Sequence, residues 1–178
     1  MLTTPPSPTE KIDRIRLIRS ENVGPVTFRR LLERYGSARG ALAALPELAR
    51  RGGRPGPIRV CPQAEAEREL EVASAAGAQL LAQGEPGYPD MLTDLEDPPP
   101  ILTVLGRVDL LERTAIGIVG ARNASISGRH LARTIATELG RANLVVVSGL
   151  ARGIDTAAHE GALGTGTVAV LAGGVDSV

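Results

Sequence analysis

Residues 144–171 run LVVVSGLARGIDTAAHEGALGTGTVAVL, and this stretch decides the fold. Leu144–Val147 is a short β-branched run, as expected of a buried strand. A helix is predicted from about Gly153 to Leu163, and a further strand over Thr167–Leu171. Upstream, Ile116–Val119 reads as another strand of the buried type. A helix over Ser127–Arg141 follows it, with Leu131, Ile135 and Leu139 on its apolar face. Strands and helices alternating at these lengths predict βαβαβ: a parallel sheet with right-handed crossovers, hence a Rossmann-like α/β domain. Three strands make an unfinished doubly wound sheet, so the domain is expected to be incomplete at its C-terminus.

In such sheets, ligands sit outside the carboxyl ends of the strands. Two strand-to-helix turns lie there: Val119-Gly120-Ala121-Arg122-Asn123-Ala124-Ser125, and Ser148-Gly149-Leu150-Ala151-Arg152-Gly153-Ile154-Asp155. Each has a glycine directly after the strand, where backbone can approach a ligand. Each opens a helix whose free N–H groups and dipole favour an anion, and each carries an arginine. Gly120, Arg122, Ser148, Gly149, Arg152 and Gly153 are therefore the predicted phosphate-binding set. Tight turns alone would also explain the glycines, and Arg122 and Arg152 could instead pair with a carboxylate such as Asp155. Asp155 and His159, four apart, are assigned to ordering the helix start and to local packing.

Other chemistries find little support. Gly164-Thr165-Gly166-Thr167-Val168-Ala169 fits a dinucleotide fingerprint letter by letter but precedes a strand instead of following one. Ser148 lacks the glycine two residues before it that a nucleophile elbow needs. Lys11 is the only lysine among 20 basic residues and follows Glu10, so no P-loop is visible. One cysteine, Cys61, and two separated histidines, His130 and His159, make zinc ligation improbable. The expectation is no cofactor, no metal and no catalysis. The lone cysteine, the lack of a secretory signal and the absence of a long apolar run point to a cytoplasmic protein without a membrane span.

The N-terminal 60 residues read as helices, after a Thr/Pro-rich tail over Met1–Pro8 expected to be disordered. Thr9 is taken as the cap of the first helix, with Ile12, Ile15, Leu17 and Ile18 at helical spacing. Asn22-Val23-Gly24-Pro25 is a turn, and Pro25 suits the first position of a second helix that ends at Gly36. Ser37 can cap a third. Gly52-Gly53-Arg54-Pro55-Gly56-Pro57 is the linker candidate, which sets the predicted domains at 1–60 and 61–178. Net charge is zero overall but +7 over residues 1–60, −8 over 61–113 and +1 over 114–178. A basic segment beside an acidic one suggests two units with different surfaces. The helix–Val-Gly-Pro–helix arrangement resembles helix-hairpin-helix and SAM-like modules, without their paired glycines. A helix is also expected over Pro62–Ala76, and strands over 78–82 and Ile101–Leu105.

With those residues in hand, the chain resembles the DprA/Smf DNA-processing family. Val119-Gly120-Ala121-Arg122 resembles its Val-Gly-small-Arg turn. Ser148 to Asp155, with Ala158-His159 and Ala162-Leu163, resembles its longest motif, which Thr167–Gly174 and Asp176 continue. Tyr88-Pro89, Leu92 and Asp97-Pro98-Pro99 resemble the approach to its Rossmann-like domain. Ser127 stands where members often have an aromatic. The resemblance implies a non-enzymatic binder of single-stranded DNA that shields the strand entering a cell during natural transformation. It also implies help in loading RecA recombinase, action as a homodimer, and Arg122 and Arg152 on DNA phosphates. The competing class is a nucleotide-processing enzyme like the lysine-decarboxylase-like phosphoribohydrolases, but Gly173-Gly174 is followed by Val175-Asp176, so their Pro-Gly-Gly-x-Gly-Thr motif is not in this sequence. A third reading is an interaction module in which residues 1–60 bind a partner protein. The three aromatics, Phe28, Tyr35 and Tyr88, all lie off the two turns. The site therefore predicts a phosphate grip with little base stacking.

Overall fold

The computed structural model describes residues 5–53 and 56–175. Arg54 and Pro55 of the expected linker, Met1–Thr4 of the expected tail, and Asp176 lie outside them. The chain divides into two compact units, residues 1–106 and 107–178.

The first unit begins with three helices, α1 (Pro8–Arg19), α2 (Pro25–Tyr35) and α3 (Ala38–Arg51). Ser7, not Thr9, caps α1: its side chain accepts from Glu10 N at 3.2 Å. Pro8 suits the first helical position because it has no N–H to satisfy there, so the helix starts two residues earlier than expected. Pro25 opens α2, and Gly36 ends it at φ 74, a left-handed conformation that glycine adopts without a Cβ penalty. Ser37 caps α3 through Gly40 N at 3.1 Å. Leu17, Val23, Phe28, Leu31, Leu32, Leu42 and Leu45 form the core between these helices.

The unit continues through α4 (Gln63–Ala75), strand β1 (Ala78–Ala82), the short α5 (Asp90–Thr93) and strand β2 (Ile101–Leu105). β1 and β2 pair antiparallel, Ala78 opposite Leu105 and Ala82 opposite Ile101. Within the long connection, Tyr88 donates to Pro99 O at 2.7 Å, and burial pushes its phenol up to about 12. Residues 61–106 are bound to α1 by charge. Arg14 Nη1 donates to Gln83 O at 2.8 Å, and Arg16 Nε donates to Cys61 O at 3.1 Å. Lys11 Nζ meets Glu85 at 2.8 Å, and Arg19 forms a two-pronged bond to Glu69 at 3.0 and 2.7 Å. The division by contacts thus falls at Gly106, not at residue 60, because the acidic segment packs with the basic helices.

The second unit holds β3 (Ala115–Gly117), α6 (Ile126–Arg141), β4 (Val145–Ser148), α7 (Ile154–Ala162) and β5 (Thr167–Ala169), after a 3-10 turn at Val108–Glu112. The sheet is parallel in the order β3-β4-β5. Two successive crossovers of one hand put both helices on one face. Ala136, Val146, Ala158 and Ala162 make the core there, with Ile118 and Leu139 against it. Two expectations change. β3 is partly exposed: among the described residues it pairs with β4 alone, and Ile116 is 40% exposed. The inward face of α6 is Ala132, Ala136 and Gly140, while Leu131 and Ile135 are exposed. The cause is the closeness of the helix pair. A Cβ on Gly161 would strike Arg133 O and come within 2.9 Å of Ala136 Cβ, so only small side chains fit the seam.

Candidate nucleic-acid interface

β3 and β4 end at the same edge and deliver the two turns side by side. The turns interlock. Ile154 N donates to Ala121 O at 3.3 Å. A Cβ on Gly153 would run into Ala121 O and lie 2.6 Å from Arg122 O. A Cβ on Gly120 would lie 2.6 Å from Ile154 Cγ1. Gly120 and Gly153 are thus required by loop-to-loop packing, which is a different reason from the ligand access expected of them. Gly153 also sits at φ 88 and Leu150 at φ 56, both left-handed. For Leu150 that conformation is costly and is sustained by its surroundings.

The turns look alike in sequence but differ electrostatically. In the second, Asp155 is buried, and its Oδ2 accepts from Ala151 N at 3.3 Å. A Cβ on Gly149 would lie 3.1 Å from that same oxygen. A carboxylate of the protein therefore already occupies the start of α7, where a ligand anion was expected. The start of α6 has no acid in its first turn; Ser125 caps it by accepting from Gly128 N at 3.1 Å. An incoming phosphate meets less repulsion at the first turn.

Ser148 leaves the phosphate set. It is 3% exposed, and its hydroxyl donates to Ile118 O at 2.6 Å, tying β4 to β3. Arg122 and Arg152 are exposed, and among the described residues neither makes an ion pair or a hydrogen bond. Asp155 pairs with neither of them. Gly149 is exposed at the edge.

His159 lies behind the loops, on α7. Its Nδ1 is 2.8 Å from Thr167 Oγ1, and that hydroxyl donates to Val146 O at 2.9 Å. The hydroxyl has one proton, so Nδ1 must be the donor to Thr167. Nε2 is then a bare acceptor, buried without a partner. Burial pushes the imidazole below its ordinary value, against a smaller upward pull from Asp155. Among the described residues no group of His, Cys, Asp and Glu could hold a metal ion, and no helix is long and apolar enough to cross a membrane.

One residue at this edge was not anticipated from sequence. Arg129 closes the first turn of α6, its N donating to Ser125 O at 3.0 Å. Its side chain is exposed and, among the described residues, unpaired. A signal was available: no carboxylate stands three or four residues to either side of it.

The chain matches known proteins in both parts. The family model for DNA recombination-mediator protein A matches residues 79–178, and that for the DprA-like N-terminal HHH domain matches residues 8–72. Protein Smf of Synechocystis is 37% identical over 115 residues, 61% of this chain and 29% of its own length. DNA processing protein DprA of Streptococcus pneumoniae is 42% identical over 91 residues, 50% of this chain and 32% of its own. A DprA relative from Mycobacterium tuberculosis is 35% identical over 175 residues, 95% of this chain and 40% of its own. The chain thus spans between 29% and 40% of the length of these curated relatives. The X-ray structure of DNA processing protein A from Streptococcus pneumoniae superposes with a TM-score of 0.66 at 27% identity, over 98% of this chain and 61% of that one. With a helical first part, a parallel α/β second part and both family models matched, the chain belongs to the DprA/Smf family of DNA recombination-mediator proteins.

Proposed function

We propose that this protein binds single-stranded DNA by its sugar-phosphate backbone, at the edge formed by the turns after β3 and β4. The observation that carries the proposal is the pair Arg122 and Arg152, exposed and unpaired on two loops locked together by Gly120, Gly153 and Ile154. Unpaired arginines held at a fixed spacing suit a ligand with repeated phosphates. The protein acts as a mediator without catalysis: it covers incoming DNA during natural transformation and helps RecA recombinase onto it, working as a homodimer in the cytoplasm. These roles rest on family membership and on the phosphate edge together. The edge carries no aromatic side chain, so binding has little sequence preference and a strong salt dependence.

Fluorescence anisotropy of a labelled single strand of about 20 nucleotides, across a salt series and beside its duplex, tests this. The expected result is tight single-strand binding, weakened in Arg122→Ala and Arg152→Ala with a shallower salt slope. Wild-type binding that both substitutions leave unchanged would remove the edge as the DNA site.

A further inference from the structure

α6 carries three arginines, Arg129, Arg133 and Arg141, and they are not equivalent. Arg133 pairs with Glu160, and Arg141 pairs with Glu138. Arg129 has no partner among the described residues. Elsewhere in the second unit, Arg107 pairs with Asp109, and Arg113 donates to Asn143 Oδ1 at 2.6 Å. The arginines left over are Arg122, Arg129 and Arg152.

These three are neighbours in the fold. Arg122 lies in the turn after β3, and Arg129 lies one helical turn beyond the Ser125 cap that ends that turn. Gly128, next to Arg129, faces α7: a Cβ there would lie 3.8 Å from Ile154 Cδ1. Ile154 follows the Arg152 loop directly and packs on Gly120. Three unneutralised arginines therefore sit on the two interlocked loops and on the helix turn that packs beside them. Arg129 is moreover placed where it opposes the helix dipole, since α6 has no acid in its first turn. A cation held there without a carboxylate is stabilised when an anion arrives.

We infer that Arg129 is a third phosphate contact, which carries the strand from the turn after β3 onto the first turn of α6. The inference rests on the proposed DNA edge and deepens it. It makes the site a track for successive phosphates instead of a single anion pocket.

The test uses the intact protein and a labelled dT20 strand, from about 50 to 200 mM salt. The variants are Arg129→Ala, Arg129→Lys and Arg141→Ala, beside Arg122→Ala and Arg152→Ala. Arg129→Ala should weaken binding roughly tenfold at low salt and make the log–log salt slope shallower by about 0.7. Arg129→Lys should recover the slope and most of the affinity. Arg141→Ala removes the same charge from the far end of the helix and should bind as wild type. If Arg129→Ala matches wild type while Arg122→Ala and Arg152→Ala weaken binding, Arg129 is no contact and the DNA edge stands. If Arg129→Ala weakens binding with an unchanged slope, its role is structural and the inference fails. If none of the three alanine variants changes binding, the edge itself is misplaced.

Discussion

The two units treat their charges differently. Thirteen of the twenty basic residues lie in residues 1–106 beside fourteen acidic ones, and folding pairs most of them, though Arg30, Arg34 and Arg68 make no ion pair among the described residues. Lys11 meets Glu85, Arg19 meets Glu69, Arg39 meets Asp13, and Arg59 meets Glu65. The second unit has few cations and leaves three of them unpaired at one edge. Local net charge is thus a poor guide to which cations stay unpaired. The +7 of residues 1–60 is matched by the acidic stretch folded against it. What sets the proposed edge apart is that its unpartnered cations sit on and beside two loops locked together by Gly120, Gly153 and Ile154.

The largest test of this comparison is Gly153→Ala. The new methyl group would strike Ala121 O and Arg122 O, at a φ of 88° that alanine rarely adopts. The expected loss is about 3 kcal/mol or more of unfolding free energy. Single-strand binding should fall as well, because the interlock that gathers the arginines is undone. A stable variant with intact binding would mean that the loops are not held by this contact.

The first unit supplies the next test. Glu85 Oε2 receives Lys11 Nζ at 2.8 Å and the buried Ala82 N at 2.7 Å. Glu85→Ala should cost about 2 kcal/mol in denaturant unfolding, since it strands a backbone donor and an ammonium group together. DNA affinity should be unchanged. Reduced affinity with unaltered stability would mean that the charges of the first unit also face the ligand.

Much of this was legible in the sequence, and the exceptions share a cause. The turns at Pro25, Gly36 and Ser37 were readable because capping is local chemistry. The strands at 78–82 and 101–105 fell where expected, since short apolar runs bounded by turn residues are local too. The packing of residues 61–106 with the first helices was not readable, because the bonds that make it span long separations, fifty residues between Arg19 and Glu69. The inward face of α6 was misread because three large apolar residues outweighed Ala132, Ala136 and Gly140; only the approach of α7 reveals that small side chains were needed. At the proposed site, Arg122 and Arg152 were picked out by their place in two glycine turns that open helices, and the structure leaves both exposed and unpaired among the described residues. Ser148 misled, since a hydroxyl at a strand end can as easily bridge to the neighbouring strand. The absence of a carboxylate one turn away would have raised Arg129, but Arg133 lacks one too, and its partner Glu160 comes from the other helix.

A smaller effect separates the units by pH. The folded state lowers the pKa of His159 from its ordinary value near 6.5, mainly through burial. Its contribution to stability is therefore complete above that value and is lost as pH falls from it through the lower, folded value. A proton on Nε2 would add a buried donor with nothing to receive it. Hydrogen exchange, corrected for its intrinsic pH dependence, should show β4, α7 and β5 losing protection between pH 7 and pH 5.5, while α1–α3 hold theirs. Equal loss in both units would assign the acid response elsewhere.

The smallest expected effect is the most discriminating. Arg122→Ala and Arg152→Ala remove side chains that bond to nothing among the described residues. Unfolding free energy should move by no more than about 0.5 kcal/mol, as for surface substitutions away from any structural contact. Removing one of several like charges should, if anything, stabilise the unit slightly at low salt. Pairing these values with the anisotropy series separates two explanations of a weakened variant. A residue that holds the fold loses stability and affinity together. A residue held in readiness for phosphate loses affinity alone, and a drop of 1–2 kcal/mol in stability, on the scale of an ordinary lost interaction, would place Arg122 or Arg152 among the first kind.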